Sequence, residues 1–175
     1  INNGISPDIL LIEDGKILQK TTLNSFSNQI GNKPYFRISA TPLHPKLNLI
    51  DVDSNALRHI LNNPPRSREY GWTMSNIYSS IERISEGIQK GKESHQYLKL
   101  FSNGHMEFTF PLDNQFCWGQ SPEEFKIKPR LNPYPVIEFP ITFLELYKSI
   151  IDFFHINDKI LLKIVYRNLK GYILF

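Results

Sequence analysis

A chain of 175 residues is long enough to form one domain with a substantial hydrophobic core. Its 41% hydrophobic and 13% aromatic residues are typical of a folded globular protein and exclude an intrinsically disordered one. The net charge of +3, from 20 Lys and Arg against 17 Asp and Glu, is too small by itself to predict a nucleic-acid-binding protein, which usually carries clustered basic charge.

Cysteine content and hydropathy set further limits. The single cysteine, Cys117, excludes an internal disulfide and a cysteine-rich zinc site. No apolar run approaches the ~20 residues of a membrane-spanning helix, and the chain does not begin with a secretory signal. We therefore expect a cytoplasmic protein with no membrane partner. The start at Ile1 and the apolar end at Phe175 lead us to expect a domain of a larger protein.

The first predicted element is an N-terminal hairpin. Asp14 and Gly15 lie between two apolar segments, and an Asp-Gly pair adopts the positive φ angles of a tight turn. The polar residues that follow predict a linker. We therefore divide the chain into a hairpin and linker, residues 1–33, and an α+β accessory or interaction domain, residues 34–175.

A strand and two helices are predicted next. Residues 34–41 alternate in polarity as a strand does, and Asp53 or Ser54 is expected to cap a short helix that stops before Pro64. A second helix is predicted from about Ser75. Its apolar stripe would consist of Ile77, Ile81, Ile84 and Ile88.

The clearest element is a hairpin around Asn103 and Gly104, since Asn-Gly is the strongest short-range hairpin signal. A two-residue loop would place alternate side chains of the two arms on shared faces. One face would hold Tyr97, Lys99, Phe101, Met106, Phe108 and Phe110. The other would hold Leu98, Leu100, Glu107 and Thr109.

The C-terminal third combines a loop, a helix and strands. Residues 119–135, rich in proline, predict a long irregular connection, and residues 136–139 a brief strand. Residues 141–154 carry apolar side chains at helical spacing. Residues 159–166 and 171–175 predict a final strand pair. The whole pattern predicts the α+β class, with a mostly antiparallel sheet built from hairpins and two or three packed helices.

Candidate catalytic chemistry is sparse. The chain lacks a Walker motif, a G-x-S-x-G elbow and an H-E-x-x-H pair. The predicted register separates His95 from His105 by the length of the hairpin, too far for one metal ion with bonds of about 2 Å, so we expect exposed histidines at strand ends. No catalytic residue, metal or cofactor is predicted. An enzyme whose residues converge only in the fold stays open, with Cys117, His105 and Glu107 as its candidates.

The segment from Arg66 to Trp72 offers the best candidate binding residues. Arg66 and Arg68 stand beside Tyr70 and Trp72, a combination that can grip phosphate and stack a base. The alternative is an Arg–carboxylate pair that holds a loop, with Trp72 anchored in the core. Further basic residues lie in two predicted loops and would extend a nucleic-acid surface: Lys90, Lys92, Lys126, Lys128 and Arg130.

The residues Arg68-Glu69-Tyr70-Gly71-Trp72, followed by Tyr97–Phe101 and Gly104–Phe108, form a recurring pattern. The pattern resembles the region C-terminal to the Schlafen-type AlbA-like domain of prokaryotic ATP-binding or DNA-binding proteins. There an R-x-x-G-W segment precedes a Y-L-x-L-F-x-x-G-x-x-E-F hairpin. The resemblance covers about residues 35–175. It implies an accessory or sensing domain of a bacterial protein linked to nucleic-acid handling, including anti-phage defence, and it carries no catalytic residue onto this chain.

We therefore predict a non-catalytic interaction or ligand-sensing domain. Two alternatives stay open: a nucleic-acid-binding module that uses Arg66, Arg68, Trp72 and the loop lysines, and an unrecognised enzyme domain. The expected partners are other domains of the parent protein and, for the first alternative, nucleic acid. A homo-oligomer also stays open.

Overall fold

The structure, a computed structural model, describes residues 33–72, 74, 80–92, 96–112 and 121–174. Within these residues it shows an α+β fold with a six-stranded antiparallel sheet and three helices, which confirms the predicted class. The predicted hairpin at Asp14 and Gly15, and the candidates His95 and Cys117, lie outside the described residues.

The elements are numbered in chain order. The strands are β1 (Tyr35–Pro42), β2 (Ile81–Ile84), β3 (Gly87–Gly91), β4 (Tyr97–Phe101), β5 (Met106–Pro111), β6 (Arg130–Leu131), β7 (Ile160–Arg167) and β8 (Ile173–Leu174). The helices are α1 (Asn55–Asn62), α2 (Pro122–Ile127) and α3 (Pro133–Phe153). The main sheet has the order β2-β3-β4-β5-β1-β7, so β2 and β7 are its edges among the described strands. The pair β6 and β8 is parallel and separate.

The core lies between one face of the sheet and the helix α3. Phe36 and Phe110 pair across β1 and β5, with ring centroids 5.2 Å apart. Phe139 of α3 lies 4.6 Å from Phe110 and 5.1 Å from Phe108. All four rings are essentially fully buried. Burial of such a side chain contributes roughly 1.5–3 kcal/mol, so this cluster fixes α3 against the centre of the sheet.

The strand β1 and the short helix α1 confirm two predictions. Every residue of β1 is buried, because the strand lies between two neighbours in the sheet. Ser54 caps α1, and its side chain accepts a hydrogen bond from the backbone of Leu57. Leu57 and Leu61 are the buried residues of this helix, on the apolar face that the sequence predicts.

The second predicted helix is wrong over its described part. Ile81 and Ile84 lie in β2, Ile88 lies in β3, and a two-residue turn joins the strands. The spacing of the isoleucines fits a helix, but these residues form a strand pair. Gly87 is suited to that pair. A Cβ atom on Gly87 would lie 2.2 Å from the carbonyl oxygen of Leu100, so the glycine permits close pairing of β3 with β4.

The central hairpin forms where it was predicted, but its register differs by one residue. The loop is 102–104, and Gly104 closes it with a φ of 86°, a left-handed conformation that suits glycine. A one-residue slip exchanges the faces of a strand, so the predicted face assignment is wrong. The side chains that face the helices are Leu98, Leu100, Met106, Phe108 and Phe110. The opposite face holds Tyr97, Lys99, Glu107 and Thr109.

The connection predicted at 119–135 is largely regular where the structure describes it. A capping box formed by Ser121 and Glu124 starts α2, and Asn132 caps α3. The predicted strand at 136–139 is wrong, because these residues belong to α3, which continues through Pro140. The missing proline N–H leaves the carbonyl of Val136 without a helical donor, and the Tyr166 hydroxyl donates to it at 2.9 Å.

The final strands do not pair with each other as predicted. The strand β7 pairs with β1 over its whole length, whereas β8 runs parallel to β6. Consequently β7 becomes an edge of the main sheet among the described strands, and the hydrogen bond from Tyr166 to Val136 connects it to α3.

Candidate functional site

The segment with the predicted binding residues is fastened to α3 through Glu138. The Arg68 Nε donates to one carboxylate oxygen of Glu138 at 2.6 Å, and the backbone N–H of Trp72 donates to the other at 2.6 Å. A Cβ atom on Gly71 would lie 2.8 Å from Arg68 Cγ, so a side chain there would displace Arg68 from its contact with Glu138. The Trp72 ring packs edge-on against Phe139, with centroids 6.0 Å apart. This geometry is that of an Arg–carboxylate pair that holds a loop.

The four predicted binding residues therefore differ in what they offer a ligand. Arg68 and Trp72 have partners within the fold, although the Arg68 guanidinium is half exposed and lies 4.8 Å from the ring centre of Tyr134. Tyr70 is 86% exposed, and Arg66 is exposed as well. The loop thus presents one arginine and one tyrosine fully to solvent.

Buried polar side chains form a second candidate, on the sheet face opposite α3. Glu107 pairs with Arg37 across the strands, and its Oε2 lies 3.4 Å from His105 Nε2. The Nδ1 of His105 lies 2.6 Å from Thr41 Oγ1. Each of these side chains is at most 2% exposed. The expectation that His105 would be an exposed residue at a strand end is therefore wrong.

The ionisation of this buried cluster follows from its contacts. Burial pushes the pKa of Glu107 upwards, but the hydrogen bond from His105 and the charge of Arg37 outweigh burial and lower the pKa to about 2. Burial, and then the Glu107 carboxylate, raise the pKa of Tyr97 well above its usual range. The cluster therefore holds a permanent, shielded ion pair. Each of its polar side chains is directed at another member of the cluster.

The predicted set of basic loop residues is changed by the position of Lys90. Lys90 lies in β3, is 7% exposed, and its Nζ donates to the carbonyl of Leu61 at 3.2 Å. The prediction that Lys90 belongs to a loop is wrong. It places a positive charge at the C-terminus of α1, where the helix dipole favours a cation, and burial lowers its pKa. Lys126 lies in α2 and Arg130 in β6, so the loop prediction is wrong for these two residues as well. Both are exposed, as are Lys92 and Lys128.

A third candidate is a large apolar area that sequence reasoning missed. It lies on the outer side of α3 and on the neighbouring edge strand β7, and we call it the α3–β7 surface. Its members are Tyr134, Ile137, Ile141 and Leu144 of α3 and Leu162, Ile164 and Tyr166 of β7, each 37–58% exposed. Exposed apolar side chains gathered on two neighbouring elements often mark an interaction site.

The backbone of β7 adds a directional feature to this surface. Leu43 donates its N–H to the carbonyl of Lys159 at 2.7 Å, which fixes the odd-numbered residues of β7 as those that hydrogen-bond β1. The N–H and C=O groups of Leu162, Ile164 and Tyr166 consequently point away from the sheet. No residue in the described part of the chain hydrogen-bonds these outward groups.

The α3–β7 surface could have been found from the spacing of its helical residues. Tyr134, Ile137, Ile141 and Leu144 recur at intervals of three and four, which marks one face of a helix. The sequence predicts a strand at 136–139 and a helix at 141–154, which divides this face, whereas one helix spans both and includes Pro140. The result is a helix that is apolar on opposite sides, with one side buried and the other exposed.

Comparisons with other proteins do not assign a family. No protein-family model, curated protein or solved structure matches the chain. Within the described residues, no group of three or more His, Cys, Asp and Glu side chains could hold a metal ion. No helix in that same part of the chain has the length and apolar character to cross a membrane.

Proposed function

We propose that this chain is a non-catalytic interaction domain that binds an extended polypeptide segment at the α3–β7 surface. The bound segment adds to the main sheet as a strand beside β7. The observation that carries this proposal is that the same three residues, Leu162, Ile164 and Tyr166, present outward backbone groups and exposed apolar side chains. Strand addition uses both features: backbone hydrogen bonds supply affinity, and alternate side chains supply specificity.

The helix α3 lies beside the β7 edge, so a strand bound there could contact the helix as well as β7. The Tyr166 hydroxyl donates to the carbonyl of Val136 at 2.9 Å, which holds α3 beside β7, and Val136 is partly exposed. A strand beside β7 would place every second side chain against Leu162, Ile164 or Tyr166 and alongside the helix. The polypeptide that fits is therefore one with apolar residues at alternate positions.

The buried polar cluster and the loop at Glu138 support an interaction role over a catalytic one. Glu107 and His105, the described members of the proposed enzyme site, are directed at each other and at Arg37 and Thr41 in a shielded location. The Glu138 carboxylate is occupied by two donors from the loop. On β7, by contrast, apolar side chains and outward backbone groups are open to solvent together.

The proposal is tested with a short labelled peptide of alternating valine and threonine, flanked by lysines for solubility. With the labelled peptide at trace concentration and the chain titrated, fluorescence anisotropy should show saturable binding. Ile164→Pro should abolish it, because proline removes an outward N–H without touching the hydrogen bonds to β1. Circular dichroism should show that this variant remains folded.

Arg83→Pro supplies the matched control. Arg83 lies in β2 on the opposite edge of the sheet, and its N–H also faces away from the neighbouring strand, because the two-residue turn closes on the hydrogen-bonded pair Ile84 and Gly87. The control should bind the peptide as the parent does. If Ile164→Pro bound the peptide as tightly as the parent does, β7 would not be the docking edge. The same conclusion would follow if a peptide with a methylated backbone bound the parent as tightly as the unmethylated peptide.

Nucleic-acid binding is the second proposal, because Tyr70 and Arg66 are exposed beside the guanidinium of Arg68. Exposed aromatic and basic side chains are the features that single strands use. Arg66→Ala combined with Tyr70→Ala should weaken binding of a single-stranded oligonucleotide, and added salt should weaken it further. An unchanged affinity would count against this role. The link to a bacterial Schlafen-type protein and to anti-phage defence stays a prediction.

A further inference from the structure

We infer that the polypeptide segment that fits the α3–β7 surface is the β7 strand of a second copy of this chain. Two copies would pair antiparallel about Ile164 and join their sheets into one. This inference rests on the proposed function, since it names the partner of the same surface. It follows from the register of β7, from the charges on the strand and from the exposed area.

The outward backbone groups limit the registers in which two β7 strands can pair. Only even-numbered residues direct N–H and C=O groups outward, so an even residue must face an even residue to form hydrogen bonds. Two such registers overlap nearly all of the strand. One is centred on Lys163 and the other on Ile164.

Charge separates these two registers. Centring on Lys163 places this lysine opposite its own copy, and like charges directly opposite each other destabilise a strand pair. Centring on Ile164 places Lys163 opposite Val165 and Arg167 opposite Leu161. No basic side chain then faces another, so the Ile164 register is favoured.

The apolar side chains also match in the Ile164 register. Ile164 faces its own copy, and Leu162 faces Tyr166 twice, once on each side of the twofold axis. These partners are all apolar, and apolar side chains directly opposite each other pack together across a strand pair. Because even residues face even residues, both α3 helices lie on the same side of the joined sheet. The outer side chains of both helices then lie on either side of the paired Leu162, Ile164 and Tyr166 side chains.

The α3–β7 surface offers a dimer apolar contacts beyond the strand pair. The exposed side chains of β7 and the outer side chains of α3 add to the area that the paired backbones bury, and a stable specific interface takes ~800 Å² per partner. A twofold pair uses the same surface on both copies and so leaves neither edge open. Closure of this kind protects a long apolar edge strand from open-ended aggregation.

Sedimentation velocity over a range of concentrations measures the association. The parent chain should form a dimer, and Ile164→Lys should weaken the dimer by on the order of 100-fold or more, since two lysines would then meet at the axis. Ile127→Lys is the matched control, because Ile127 is 85% exposed in α2, outside the surface. A parent that stays monomeric at every soluble concentration would overturn the inference, and so would a dimer that Ile164→Lys leaves intact.

Cysteine cross-linking tests the register directly. In a Cys117→Ser background, Ile164→Cys should form a disulfide with its own copy, since paired Cα atoms about 5.5 Å apart are within disulfide range. Lys163→Cys should not. Self-linking at position 163 in preference to 164 would contradict the Ile164 register.

The outcomes separate this inference from the proposed function. A monomeric chain that still binds the valine–threonine peptide, with Ile164→Pro blocking it, overturns the second copy as partner and leaves strand addition intact. A monomeric chain that does not bind the peptide overturns both. A dimer that the peptide dissociates in competition supports both, because the peptide and the second copy then occupy one edge.

Discussion

Replacing Glu107 by glutamine removes one negative charge from the buried polar cluster with little change in shape. Arg37 and Glu107 are 2% and 1% exposed, so the variant leaves the guanidinium buried beside a neutral amide. Breaking a buried pair by removing one partner costs about 3–5 kcal/mol. A pKa held at about 2 in place of about 4.3 in the unfolded chain corresponds to roughly 3 kcal/mol. Since domains have about 5–15 kcal/mol of stability in total, the loss should be conspicuous.

The pH dependence provides an independent readout of the same pair. Because folding lowers the pKa of Glu107, its contribution is present above the pKa of the unfolded chain and is lost as pH falls from about 5 towards 2. The free energy of unfolding of the parent should therefore fall steeply in that window, and that of Glu107→Gln should fall less. Urea unfolding followed by far-ultraviolet circular dichroism at several pH values measures both effects.

A control substitution of the same chemistry separates burial from charge. Glu145 is exposed on α3, so Glu145→Gln should change the free energy of unfolding by less than about 0.5 kcal/mol. The reasoning would be refuted by a Glu107→Gln protein within about 1 kcal/mol of the parent, with an unchanged pH profile. Restoration of stability by Arg37→Met in the Glu107→Gln background would show that the charge of the buried guanidinium, no longer balanced by a carboxylate, causes the loss.

Three further substitutions test other contacts. Glu138→Gln should free the 66–72 loop and speed trypsin cleavage after Arg66, and cleavage at the parental rate would contradict the anchoring role. Gly104→Ala should lower the free energy of unfolding, measured in urea, by about 1–2 kcal/mol. The added Cβ would lie 2.7 Å from the ring of Pro42, and the φ of +86° is unfavourable for alanine. An unchanged free energy of unfolding would contradict this turn. Tyr166→Phe should lower the free energy of unfolding by about 1 kcal/mol, because it removes the hydrogen bond to the Val136 carbonyl. In a Pro140→Ala background the helix supplies its own donor to that carbonyl, so the same substitution should cost less. Equal losses in both backgrounds would argue against the contact.

Local signals in the sequence were sufficient for some elements of the fold. The cap at Ser54 and the alternation in β1 predict elements that form in the structure, and so does the Asn103–Gly104 turn. The register of the hairpin was not predictable from the turn residues alone, because Gly104 closes a three-residue loop as readily as a two-residue one. Pro140 misled the prediction of α3, since the donor that compensates for it comes from a strand 26 residues later.

Long-range contacts explain what could not be predicted about the candidate site. The carboxylate that binds Arg68 belongs to Glu138, 70 residues further along the chain, and no local pattern connects the two. The partner of Glu107 is equally distant, since Arg37 also lies 70 residues away. The edge position of β7 depends on pairing with β1 instead of β8, which only the assembled sheet determines.

Amide hydrogen exchange along β7 tests the central claim most directly. In the dilute chain, the outward N–H groups of Leu162, Ile164 and Tyr166 should exchange quickly, while those of Lys163 and Val165, which bond β1, should be protected. Raising the chain concentration, or adding the valine–threonine peptide, should protect the three outward amides. If these amides exchange at the same rate under all conditions, β7 does not accept another strand and the interaction role assigned to this edge is wrong.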